Sequence, residues 1–237
     1  MRVTRTTGVA RSTLIAWVVT AWGAFLAWFA VSDTMVRFLG PRTYWVAWFG
    51  AAGLVSAGVV SLMVRRDGQI RRATRGDVAG ALVMLVPIVL VLVLPTPQLG
   101  AQAASRKAVG VGALSAFVPL PEPGEEIGLQ EIHYASVSQD YADSLGITDG
   151  LEVELVGFVT HPDDATAGDF GLTRFSISCC AADAVPFTVV VRSATGKTFP
   201  EDTWLKVEGA LVRAGNAFVL EAVDVEPVDE PSAPYLY

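Results

Sequence analysis

"STLIAWVVTAWGAFLAWFAVS", Ser12 to Ser32, runs without a single Asp, Glu, Lys, Arg or His. At about 1.5 Å of rise per residue, a helix of this length covers a hydrocarbon core of roughly 30 Å. Tyr44–Val64 and Val78–Leu99 have the same character. The first run is too long for the apolar core of a signal peptide. No obvious small-residue cleavage site follows it, and two more spans do, so it reads as a retained helix. Pro87 and Pro95 in the third run are tolerated in a membrane, where neighbouring helices re-satisfy the backbone. The sequence therefore predicts three transmembrane helices, at about 12–32, 44–64 and 78–99.

Charge divides the chain at the same place. Residues 1–100 carry ten Lys/Arg against three Asp/Glu, and residues 101–237 carry seven against twenty-one; +7 and −14 give the net −7. A basic, apolar half followed by an acidic, mixed half reads as a membrane region and a water-soluble domain. Arg2, Arg5 and Arg11 precede the first span, and Arg65, Arg66, Arg71, Arg72 and Arg75 cluster before the third. The loop between the first two spans has only Arg37 and Arg42, offset by Asp33. Positive charge stays in the cytoplasm, so the N-terminus is expected inside and everything after Leu99 outside. Ionisable groups within spans mark ion pathways; these spans have none, so transport by this chain alone is not expected. Trp22, Phe25 and Phe29 on one face, and the small pair Gly53 and Ala57, point to helix packing. Trp17, Trp28, Tyr44 and Trp45 suit an interfacial belt in the lipid bilayer.

Residues 101–129, rich in Ala, Gly and Pro ("PLPEPGEE"), read as a linker. Ile132, Val137, Tyr141 and Leu145 recur at helical spacing and predict one helix stopped near Gly146. Five alternating runs follow, at Leu151–Thr160, Phe170–Cys180, Ala184–Arg192, Thr203–Val212 and Ala217–Val225, with Gly157 as a bulge candidate. One helix and five short strands predict a small all-β domain over 130–228, an OB-like barrel, followed by a Pro-rich tail at 229–237. A small open sandwich is the alternative. A domain of net −14 with its linker is a poor partner for nucleic acid, whose binding rests on Lys and Arg neutralising phosphates.

The runs "GFV", "LTRFSISCCAADA", "DTWLKVEGAL" and "PSAPYLY" resemble the bacterial YcgQ-like family, described as permease subunits, from the first span to the last residue. The matching positions are Arg174, Phe175, Cys179, Cys180, Asp183, Trp204 and Gly209. The resemblance implies an accessory role beside a larger membrane permease subunit, in some members within metal-responsive clusters, and brings no activity with it.

Cys179 and Cys180 are the only cysteines. Neighbours in a strand point to opposite faces, so in a straight strand Cys179 faces the core and Cys180 the surface. A turn at "AADA" brings the two sulfurs together instead. Three readings stay open: a small buried hydrophobe at Cys179, a soft-ion site, or a redox dithiol, which lacks Cys-x-x-Cys spacing. For the ion site the candidate ligands are Cys179, Cys180, Asp183 and His161, with zinc or a similar thiophilic ion. Arg174 is assigned to the fold or to a carboxylate partner, since a guanidinium cannot ligate a metal. His133 on the predicted helix is a weaker donor, and Asp163 and Asp164 lack calcium-loop spacing. No Ser-His-Asp order, phosphate loop or paired acid and base stands out. The expected function is a membrane-anchored accessory subunit of a transport system whose extracytoplasmic domain binds or presents a soft metal or metalloid ion. A membrane-surface thiol-disulfide oxidoreductase and an interaction scaffold are the alternatives.

Overall fold

The computed structural model describes residues 10–64, 72–94, 99–114, 126–162, 168–193, 196–215 and 217–237. These fall in two compact units, Met1–Pro97 and Gln98–Tyr237. Arg2, Arg5, Arg65, Arg66, Arg71, Pro95, Asp163, Asp164 and all of "PLPEPGEE" except Glu126 lie outside the described residues.

The first unit holds α1 (Arg11–Val31), α2 (Tyr44–Met63) and α3 (Arg75–Val93). All three are long and apolar enough to cross a membrane. Small residues set the α1–α2 seam: Ala16, Gly23 and Ala30 are buried on one helix, Ala47, Ala51 and Gly58 on the other. Lipid is as apolar as leucine, so close backbone approach has to supply the attraction between helices. A Cβ on Gly23 would stand 2.7 Å from Val55, and one on Gly58 would collide with Thr20. Gly53 has open space around it, so the seam runs through Gly23 and Gly58 rather than through Gly53 and Ala57. Trp22 packs on Phe25 and Phe25 on Phe29, at 5.9 and 6.2 Å between ring centres. The Thr74 hydroxyl and the Asp77 carboxylate cap α3 reciprocally. Asp77 also pairs with Arg11 at 3.0 Å, tying together the starts of α1 and α3.

The second unit contains α4 (Ala101–Leu114), α5 (Leu129–Val137), α6 (Gln139–Leu145), β1 (Glu152–Thr160), β2 (Asp169–Ser176), β3 (Val185–Ser193), β4 (Trp204–Ala214) and β5 (Ala217–Pro227). The first half of the expected linker is thus helical. Asp202 accepts the Ala101 N–H at 2.5 Å and starts α4, with Ala101 and Ala104 buried. The single expected helix is two. Ser138 is extended, ends α5, and caps α6 by accepting the Tyr141 N–H. Gly146, at φ 70°, closes α6 where a left-handed residue is needed.

The strands pair in the order β1-β2-β3-β5-β4, and β4 returns to β1 to close the sheet. All pairs are antiparallel except β3 with β5. Alternation places Leu155, Phe170, Leu172, Val189, Val191, Leu205, Val207, Leu211 and Leu220 inside, with Ile132 and Tyr141 from the helices. Each such buried side chain contributes about 1.5–3 kcal/mol. Thr173, fully buried, is satisfied by the hydroxyls of Thr160 and Thr188 at 2.9 and 2.7 Å. The β1–β4 register runs unbroken through Gly157, and the shift falls between Glu208 and Gly209. Gly157 answers a different need: a Cβ there would meet the Thr173 carbonyl at 2.7 Å. At Gly209 a Cβ would collide with the Glu221 carbonyl. Gly209→Val is therefore expected to destabilise the sheet by at least about 2 kcal/mol, read as a lower denaturant midpoint. An unchanged midpoint would contradict this tight approach.

Candidate functional site

The site grows from the end of β2. The strand stops at Ser176, earlier than the alternation predicts, although Ile177 remains buried. The tail takes over its pairing. Ile177 donates to the Leu236 carbonyl at 3.1 Å, and Leu236 donates to the Phe175 carbonyl at 2.8 Å. The Arg174 guanidinium donates to the carbonyls of Pro234 and Ala233 at 3.1 and 2.5 Å. Arg174 therefore serves the fold, through these tail carbonyls. The tail is docked, and Tyr235 is buried.

Beyond Ile177 the chain reverses toward β3 through a short 3-10 turn, Ala181–Asp183. Asp183 holds this reversal. Its carboxylate accepts backbone N–H groups from Ser178 at 3.1 Å, Cys179 at 2.7 Å and Cys180 at 3.4 Å. Lys107 of α4 grips the other side, donating to the carbonyls of Ala181, Ala182 and Ala184 at 3.4, 3.1 and 3.0 Å. Neither Lys107 nor the tail contact has a sequence signature, because each joins segments about 60 or more residues apart.

Both thiols come to the surface, with Cys179 exposed and Cys180 partly so. Cys179 is therefore not a buried hydrophobe. The sulfurs lie 3.6 Å apart, and ligating atoms of Cys179, Cys180 and Asp183 all fall within 4.8 Å of one another. His161 is not in this group. It sits 3.9 Å from Glu201. With His133, it lines a separate cleft of about 590 Å³ beside α4 and β3. Burial lowers the His133 pKa, so that imidazole is neutral at pH 7.

The donor set suits a tetrahedral thiophilic ion. Two thiolates at about 2.3 Å from a tetrahedral centre stand about 3.8 Å apart, close to the spacing found here. A linear dithiolate with bonds of that length needs roughly 4.6 Å. Asp183 also sets the proton affinity of its neighbour. The Cys179 thiol is pushed up to about 12 by its hydrogen bond to Asp183 and then by Cys180. Partial burial pushes the Asp183 pKa up, but hydrogen bonds from the Cys179 thiol and the backbone N–H groups outweigh it and leave the carboxyl below its usual value. At neutral pH Cys179 is a thiol, and the thiolate is the nucleophile. In a Cys180→Ser background, Asp183→Asn is expected to raise the iodoacetamide alkylation rate of Cys179 at pH 8 by about tenfold or more. An unchanged rate would remove the carboxylate as the controlling group.

No curated protein matches the chain. The profile described as the DUF1980 C-terminal domain matches residues 119–237, which take in α5, α6, all five strands, the cysteine turn and the docked tail, and the chain belongs to that family.

Proposed function

We propose that this protein is a membrane-anchored accessory subunit of a transport system, and that its β domain captures a soft metal or metalloid ion at Cys179 and Cys180. The observation that carries the reading is the exposed sulfur pair at 3.6 Å with the Asp183 carboxylate alongside. Two thiolates are the main donors. Asp183 takes two backbone N–H groups on Oδ2 and one on Oδ1, so Oδ1 is the oxygen less committed to the backbone and the better placed to face an ion. The uncharged spans support a subunit that works beside a larger permease and does not itself conduct. Arginine asymmetry supports a cytoplasmic N-terminus and an extracytoplasmic β domain. The strand order and the parallel β3–β5 pair support an OB-like barrel. The likeness to YcgQ-like permease subunits points the same way. The high proton affinity of Cys179 argues against that thiol as the nucleophile of a thiol-disulfide enzyme, which needs a thiolate near neutral pH.

The reduced full chain in detergent, titrated with zinc and cadmium, is expected to bind about one equivalent. Cys179→Ser or Cys180→Ser is expected to weaken binding by more than about tenfold. The sign of the pH dependence follows from the raised thiol pKa. Below about 12 Cys179 holds its proton, so binding releases it and the apparent affinity rises about tenfold per pH unit for each proton lost. Affinity equal in the double-serine variant, or flat between pH 6 and pH 8, would falsify the site. For the subunit reading, the purified chain in vesicles is expected to give no zinc flux, and flux through it alone would overturn that reading.

A further inference from the structure

Taking the ion site proposed above as its basis, we propose that the cysteine turn holds its ion with one coordination position open and releases it by ligand exchange. An acceptor places a thiol or imidazole on the bound ion before either cysteine lets go. Among the described residues, the cluster able to ligate an ion is Cys179, Cys180 and Asp183, three donors within 4.8 Å of one another. A tetrahedral thiophilic ion takes four ligands. Zinc sites that serve a fold close the tetrahedron with protein donors, whereas sites that exchange a ligand stop at three and leave the fourth position to water or substrate. Cys179 and Asp183 are exposed and Cys180 is partly so, so an incoming donor reaches the ion from solvent.

The backbone of the turn is committed elsewhere. The carbonyls of Ala181, Ala182 and Ala184 accept from the Lys107 ammonium at 3.4, 3.1 and 3.0 Å, so a cation approaching them meets a positive charge. The N–H groups of Ser178, Cys179 and Cys180 donate to Asp183. Ile177 is held by its pairing with Leu236. Clamped at these places, the turn presents its sulfurs without folding over the ion, and the donors are ordered in advance. Two thiolates and a carboxylate around a divalent ion leave a formal −1, which the Lys107 ammonium offsets, so an acceptor thiolate meets little net repulsion. The exchange is a substitution with no redox change. The acceptor's sulfur or nitrogen bonds to the ion in place of water, and an acceptor thiol gives its proton to solvent. A cysteine sulfur then dissociates and takes up a proton. Repetition at the second sulfur, followed by loss of the Asp183 oxygen, passes the ion on intact.

The test uses the reduced full chain in detergent, loaded anaerobically with cobalt(II), a coloured stand-in for zinc whose absorption reports its ligands. Imidazole is expected to shift the ligand-field bands while the sulfur-to-cobalt charge-transfer band keeps its intensity, the mark of a ternary complex that retains both cysteines. Removal of the cobalt by EDTA, followed at the charge-transfer band, is expected to quicken about tenfold for about tenfold more EDTA, because the chelator enters through the open position. Ligand-field bands unmoved by imidazole, a charge-transfer band lost together with them, or a removal rate independent of EDTA overturns the proposal while leaving the ion site in place. A chain that shows no charge-transfer band on loading lacks the ion site itself, and both readings fall.

Discussion

Three backbone N–H groups lose their ladder partners where β2 ends, and the Asp183 carboxylate accepts all three. An unpaired N–H at such a reversal costs about 1–3 kcal/mol once water is excluded. One side chain thus makes it possible for the chain to leave β2, expose two consecutive thiols and enter β3 within nine residues of Ser176. The same charge that repairs the backbone sits against the Cys179 sulfur and holds its proton. Geometry and reactivity at the turn therefore have a single origin. Lys107 and the tail act on its outer and inner sides, fixing the carbonyls that follow it and the strand that precedes it.

Glycine plays the equivalent part elsewhere. Gly23 and Gly58 admit close helix contact in the first unit, and Gly157 and Gly209 admit backbone contact in the second. In each case a missing Cβ lets polypeptide segments approach where any side chain would force them apart. The membrane unit depends on this more heavily, because apolar burial gives helices no preference for one another over lipid.

Regular elements were legible because their periods are. Three uncharged runs and five alternating runs correspond to three helices and five strands, with ends shifted by a few residues. Features that need a partner far along the chain were not. Gly157 reads as a bulge in isolation, yet the constraint on it is the Thr173 carbonyl on the next strand. Residues 101–114 read as linker because Ala and Gly carry no periodic signal, whereas Asp202, about a hundred residues later, caps the helix they form. Cys180, Asp183 and the turn between them were legible, since the pattern breaks at "AADA". His161 was grouped with them by chemistry alone, and chain geometry assigns it to the cleft with His133.

A dithiol in an oxidising compartment is prone to oxidation, and the Asp183 carboxylate bears on how Cys179 would respond there. Oxidation and exchange proceed through the thiolate, so a thiol pushed up to about 12 is slow to react at neutral pH. Bonding the pair to each other is disfavoured as well. Consecutive Cα atoms stand about 3.8 Å apart, short of the roughly 4.4–6.8 Å that an unstrained disulfide spans. A thiophilic ion meets the same proton, since it too binds the thiolate, but it needs no strained S–S bond. It displaces the proton directly, and the sulfur spacing already lies near a tetrahedral edge. On the proposed reading, the carboxylate that slows redox chemistry at Cys179 makes ion capture at this turn proton-coupled.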